Sequence, residues 1–210
     1  MFGDGALTLK EFAMREPLPL AEIHDAILDF LRQSKDSVLF GAQAVNAYVE
    51  TPRMTQDVDI LSTNAAGTAE ELRQHLADRF HVAVKVREVA GGHGFRVFQI
   101  RKGGNRHLAD VRQVQQLPPS RLVNKVRVPT PEELIAQKVV AFSARRGQPK
   151  SGTDWRDLAL LLLAFPKLKS ETGAVLDRLK AHGARSDALE QWKLLAKSEI
   201  QFDDSEETWE

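Results

Sequence analysis

Between Pro19 and Ser34 the apolar residues fall at Leu20, Ile23, Ile27, Leu28 and Leu31, the spacing of one helical face. Ser37 to Phe40 is a short apolar run that reads as a strand. Gly41 then opens a second helix whose inner face is expected to be Ala42, Val45, Tyr48 and Val49. Thr51-Pro52 ends that helix, because proline cannot continue the hydrogen-bond ladder, and Asp57 to Leu61 returns as a strand. Ala69, Leu72, Leu76 and Phe80 mark a third helix, after which the period changes to two. Val82, Val84 and Val86 alternate with small or charged residues, and Phe95 to Arg101 and His107 to Val114 follow as further strands. Gly91-Gly92-His93-Gly94 and Gly103-Gly104-Asn105 lie between these strands as hairpin turns.

Pro118-Pro119 begins a transition. Thr130-Pro131-Glu132-Glu133 is a helix start, with a Thr cap, Pro at the first helical position and Glu closing a capping box. Helices are expected roughly over Pro131 to Arg146, Asp154 to Phe165, Glu171 to His182 and Ser186 to Lys197. The pattern predicts an α+β fold, a small mixed sheet flanked by helices, followed by a C-terminal helical bundle. Residues 1–36 form an N-terminal helical segment, 37–129 the α+β core, 130–200 the helical domain, and 201–210 an acidic tail expected to fray.

With 210 residues, 42% hydrophobic and 28% charged, the chain has the composition of a globular protein with a substantial core. It contains no cysteine, which excludes disulfides, thiolate zinc sites and cysteine nucleophiles; a cytoplasmic setting is expected. Met1 to Glu16 carries Asp4, Lys10, Glu11 and Arg15 and no hydrophobic stretch, so no signal peptide is expected. The longest apolar run, Leu158 to Phe165, is far short of the ~20 residues of a spanning helix, and no membrane segment is expected. The formal net charge of zero conceals an uneven distribution. From Arg101 to Lys150 eleven bases face three acids, a net of +8 that suits a polyanion as well as it suits a solvated face.

Asp57-Val58-Asp59 bears the chemistry. On a strand these two carboxylates project from one face about 6 to 7 Å apart. Aspartate is depleted in strands and like charges on one face repel, so packing alone does not account for the pair. A hard cation such as Mg²⁺ neutralises both and holds the phosphates of a nucleotide. In His107-Leu108-Ala109-Asp110-Val111-Arg112, Ala109 and Val111 are expected to face the core and Asp110 the opposite side, free to complete the site or to pair with Arg112.

The order of strand, Gly-led helix, Arg53-Met54-Thr55-Gln56, Asp57-Val58-Asp59 and a later strand Asp resembles the nucleotidyltransferase superfamily that includes DNA polymerase β. More closely it resembles the AbiEii-type nucleotidyltransferases of toxin-antitoxin and phage-resistance systems, over about Val38 to Leu163. The family motif is Gly followed by Ser or Gly, then Asp-x-Asp or Asp-x-Glu. Gly41 matches and Ala42 departs, keeping the backbone N–H that approaches a triphosphate but losing a hydroxyl.

The resemblance implies that Asp57, Asp59 and Asp110 hold Mg²⁺ or Mn²⁺, that Gly41 and Ala42 cradle the triphosphate of an NTP, and that Arg53 and Thr55 orient the loop or touch substrate. Lys138, in Leu134-Ile135-Ala136-Gln137-Lys138-Val139, matches a functional lysine of the helix after the sheet; by its position it either snorkels or aims at a phosphate. Asp154 matches a later motif, although Ser151-x-x-Asp154 is equally a capping box. The implied reaction is transfer of an NMP to an acceptor hydroxyl with release of pyrophosphate, the acceptor being an RNA 3′ end and the partner a cognate antitoxin. Alternatives within the superfamily are a small-molecule acceptor of antibiotic type or a protein hydroxyl. Ala42 also admits a nucleotide- or RNA-binding module without turnover. Gly91 to Gly94 is no Walker loop, no Gly-x-Ser-x-Gly elbow is present, and the six histidines lack zinc spacing and are expected to be exposed or capping.

Overall fold

A computed structural model describes residues 18–201; the start of the N-terminal segment, including the stretch inspected for a signal peptide, and the acidic tail from 202 lie outside the described residues. The elements in chain order are α1 (Leu20–Gln33), β1 (Ser37–Phe40), α2 (Gly41–Asn46), β2 (Val58–Ser62), α3 (Ala65–Phe80), β3 (Val84–Val89), β4 (Gly94–Gln99), β5 (Arg106–Gln113), β6 (Ser120–Val123) and β7 (Val126–Pro129), followed by α4 (Pro131–Ala144), α5 (Lys150–Ala164), a 3₁₀ turn (Pro166–Leu168), α6 (Ala174–Ala181) and α7 (Ser186–Lys197). The chain divides into two compact units, the first reaching Ala47 and resuming over Thr51–Pro129, the second comprising Tyr48–Glu50 and the chain from Thr130 onward.

The first unit is built on a five-stranded sheet of order β1-β2-β5-β4-β3. Only β2 and β5 run parallel, with Asp59 in register with Asp110; the β1/β2, β4/β5 and β3/β4 pairs are antiparallel. Strand alternation sorts the residues by face. Val58, Ile60, Val97, Ala109 and Val111 are fully buried on one face, and α3 packs across β3, β4 and β5 with Ala69, Leu72 and Leu76 inward. Asp59, Arg96, Asp110 and Arg112 stand on the other. Asn64 caps α3 by accepting from the N–H of Gly67, and His81 closes it in the left-handed region.

Several expected boundaries shift. The strand opened by Asp57 begins at Val58, and Val82 precedes β3 rather than joining it. The Gly-led helix is only six residues long and buries Gly41, Ala44 and Val45 rather than Ala42, Tyr48 and Val49. It stops at Asn46, whose side-chain amide donates to the backbone carbonyl of Arg53 at 2.8 Å and accepts from its N–H at 3.0 Å, a side-chain clasp that competes with further helix. Residues 118–129, read only as a transition, contain the hairpin β6/β7, which turns through Asn124 and Lys125 at positive φ and packs against β1.

The second unit is helical, with Leu134, Ile135, Val139, Leu158, Leu161, Leu179 and Trp192 in its core. Tyr48 belongs to it, its ring edge-on to Phe165 at 5.6 Å. Pro131 does start α4, but Thr130 makes no side-chain cap and Glu133 closes no capping box. Glu133 is instead fully buried and accepts from Arg178 Nε at 2.6 Å and from Gln137 Nε2 at 2.9 Å, and its Oε1 lies 2.7 Å from His182 Nε2. Among the described residues no helix is long and apolar enough to cross a membrane.

Candidate active site

Asp57 lies in the turn leading into β2, Asp59 is the second residue of that strand, and Asp110 is at the middle of β5. The parallel β2/β5 pairing brings Asp59 and Asp110 side by side, because the register matches them directly. Asp110 faces away from the core, as expected from Ala109 and Val111, but its partners are His107 and Arg96, whose Nε lies 3.1 Å away. Arg112, the expected partner of Asp110, instead bonds Asp59 at 3.3 Å and lays its guanidinium 5.0 Å from the centre of the Phe40 ring.

His107, not singled out from the sequence, lies at the centre of this group. Its Nδ1 is 3.1 Å from Asp57 Oδ2, and its Nε2 is 3.3 Å from Asp110 Oδ1, close enough for an ion pair though not aligned as a hydrogen bond. Asp110 first and Asp57 second stabilise its proton and raise its pKa to about 9, against the opposing pull of burial. Burial on its own pushes Asp110 upward, but His107 and then Arg96 outweigh it and hold the carboxyl below its ordinary value. The β4/β5 register shifts between Val97 and Phe98 beside His107, and the Phe98 ring lies 5.0 Å from the imidazole.

Ligand atoms of Asp57, His107 and Asp110 all lie within 4.8 Å of one another. Two carboxylates that already converge on one positive group, the imidazolium, form a donor set that fits a divalent cation, with oxygens suited to Mg²⁺ and, once the ring gives up a proton to the entering metal, a nitrogen that Mn²⁺ also accepts. The carboxylate of Asp59 stands outside this cluster and beside Gly41. A Cβ at Gly41 would lie 2.1 Å from Asp59 Oδ2, and the backbone there has φ +71°. Glycine is therefore required twice, for the left-handed backbone and for the close approach of the carboxylate.

Ala42 follows, part-exposed, on the first turn of α2. Thr55 is buried, its hydroxyl accepting from Gln43 Nε2 at 3.0 Å, while Gln43 also approaches Nδ1 of His24 at 3.2 Å. His24 is thus a buried residue, not an exposed one, and burial lowers its pKa. Arg53 is clasped through its backbone by Asn46, leaving its guanidinium near the carbonyl of Met54.

Lys138 and Asp154 belong to the second unit, among buried charges. Lys138 Nζ donates to Asp157 Oδ2 at 2.6 Å and lies 4.0 Å from Asp154, which Arg145 binds at 2.6 Å. Because α5 starts at Lys150, Asp154 lies inside the helix and caps nothing. Asp157, fully buried, was not singled out from the sequence, although its spacing from Asp154 puts both on one helical face.

The architecture matches solved structures. The Megavirus polyadenylate synthase superposes with a TM-score of 0.58 at 14% identity over 70% of this chain, which spans 32% of the viral protein. JHP933 from Helicobacter pylori superposes with a TM-score of 0.57 at 14% identity, covering 91% of this chain and 82% of its own. No curated protein matches the chain in sequence. Residues 26–210 match the family model of the nucleotidyl transferase AbiEii toxin of type IV toxin-antitoxin systems, and the chain belongs to that family of nucleotidyltransferases.

Proposed function

We propose that the protein transfers an NMP from an NTP to the 3′ hydroxyl of an RNA, releasing pyrophosphate, in a reaction that depends on Mg²⁺ or Mn²⁺. One observation carries this function: Asp57 and Asp110 converge within a single cluster while Asp59, in register with Asp110, stands against Gly41 at the start of α2. The carboxylates and the first residue of a helix thus lie together.

Asp57, Asp59 and Asp110 would hold the metal, which supplies Lewis-acid polarisation and charge neutralisation when bound. Asp110 accepts the proton of the acceptor hydroxyl. The freed oxygen forms the bond to the α-phosphorus, and the bond from that phosphorus to the bridging oxygen breaks, its electron pair leaving with pyrophosphate. Backbone N–H groups at Gly41 and Ala42 face the triphosphate, and Thr55, tied to Gln43, fixes the loop that delivers Asp57. Arg112 holds Asp59 in place, and Arg53 borders the nucleotide. Lys138 enters this scheme on the family resemblance as a catalytic group that stabilises charge on the triphosphate in the transition state, with Asp154 as a nucleotide-binding group, and Asp157 orients Lys138 through its hydrogen bond. The carboxylates and the triphosphate cradle then fall within 37–129, and Lys138 and Asp154 within 130–200. The toxin-antitoxin setting of the family supplies the remaining partner, a cognate antitoxin.

Incubation with each α-labelled NTP and with tRNA, protein or no acceptor tests this function. Label is expected on tRNA, lost on chelation with EDTA and restored by Mg²⁺ or Mn²⁺. Label on protein or on a small molecule alone would assign a different acceptor, and NTP binding without incorporation would make the protein a binding module.

A further inference from the structure

One register line crosses the whole sheet. Phe40, Asp59, Asp110, Arg96 and Arg87 stand side by side, one from each strand in the order β1, β2, β5, β4, β3. Carboxylates occupy the middle of this row, and cations continue it to the β3 edge. Lys85 lies two residues before Arg87 on the same face, in register with Phe98. Lys85, Arg87 and Arg96 are all exposed.

This row is poor design for stability. Arg87 and Arg96 are directly opposed on neighbouring strands, where like charges repel. Asp110 occupies one edge of the Arg96 guanidinium, but neither Lys85 nor Arg87 has an ion pair among the described residues. Glu88, the next residue of β3, falls on the opposite face. An anion brought to this face would relieve a repulsion that no described residue offsets at Arg87. Adjacent strands are ~4.8 Å apart, so Arg87 stands roughly 10 Å from Asp110, with Arg96 between them. A polymer whose end lies at Asp110 therefore carries its next charges over Arg96 and Arg87.

Resting on the transfer proposed above, we propose that the face of β3 and β4 bearing Lys85, Arg87 and Arg96 binds the phosphodiester backbone of the acceptor RNA and leads its terminal hydroxyl to Asp110. Phe98, against His107 and beside Lys85, offers an aromatic surface to a base. The sign of the charge selects the acceptor. A polycationic small molecule of aminoglycoside type is repelled by this row, and a protein hydroxyl has no need of it.

The double variant Lys85→Ala/Arg87→Ala tests the surface without touching the carboxylates. Anisotropy of a 5′-fluorescein oligoribonucleotide with a free 3′ hydroxyl, titrated at several salt concentrations, should show weaker binding. The slope of log affinity against log salt should fall by about 1.4, from ~0.7 per lost phosphate contact on a single strand. Binding of labelled NTP should not change, and the thermal unfolding midpoint should not drop, since a repulsion has been removed. Unchanged RNA affinity and slope would overturn the surface, as would a lowered midpoint, which would make the pair structural. Label transfer by the wild type with RNA binding indifferent to Lys85 and Arg87 refutes the surface alone; RNA binding that depends on them, without transfer to any acceptor, refutes the transfer alone.

Discussion

At the scale of single residues, the tightest constraint is the contact between Gly41 and Asp59. A methyl group at Gly41 would collide with the Asp59 carboxylate and force an L-residue to φ +71°. The backbone strain alone costs about 1–3 kcal/mol. Gly41→Ala is therefore expected to lower the urea midpoint and, because Asp59 must move, to lose nucleotidyl transfer even where the variant is fully folded. A variant with wild-type transfer would show that Asp59 does not need its place against Gly41. This constraint was half visible in the sequence, where Gly41 stands out by the family motif but its dependence on Asp59 needs the β1/β2 pairing that puts Phe40 opposite Asp59. His107 was not visible at all. Its role arises because it lies three residues before Asp110 on β5 and beside the end of the Asp57 turn, a juxtaposition across fifty residues of sequence that no local spacing encodes.

At the scale of elements, α4 and α5 are joined by buried charge as well as by apolar contact. Lys138 is buried, as is its partner Asp157, so removing the lysine takes from that interior carboxylate the ammonium 2.6 Å away. Breaking a buried pair in this way costs about 3–5 kcal/mol. Lys138→Met should therefore shift the urea denaturation curve by an amount in that range, and its transfer activity has to be compared with wild type at equal folded fraction. A change below about 0.5 kcal/mol, the size of an ordinary surface substitution, would mean that the Asp157 pair contributes little. The helices themselves were legible: Ser186–Lys197 coincides with its expected span, and Pro131 marks the start of α4 as the sequence suggested. The hairpin β6/β7 was not, because its turn residues Asn124 and Lys125 take positive φ without a glycine to announce it. The two capping boxes failed for a common reason. Glu133 and Asp154 find stronger partners in Arg178 and Arg145 than in a free backbone N–H.

At the scale of the whole molecule, the α+β class followed from the change of period near residue 82, and the carboxylates of β2 and β5 followed from residues too polar for the strands that hold them. The order of the strands did not. Inserting β5 between β2 and β4 is what sets Asp110 beside Asp59 and lets cations continue the row outward, and this non-sequential order has no signature in hydrophobic spacing. The sheet thereby sorts charge into an acidic middle and a cationic flank, the arrangement that the proposed meeting of a nucleotide and a polyanionic acceptor at one face requires.

The most direct measurement is transfer of label from an α-labelled NTP to tRNA by the wild type and by Asp57→Asn and Asp59→Asn, with Mg²⁺ present and folding checked by circular dichroism. Each variant should keep its fold and lose more than about 100-fold in rate, beyond the loss that changes to the outer shell of a metal site produce. Near-normal transfer by either folded variant would contradict the placing of the chemistry on these carboxylates.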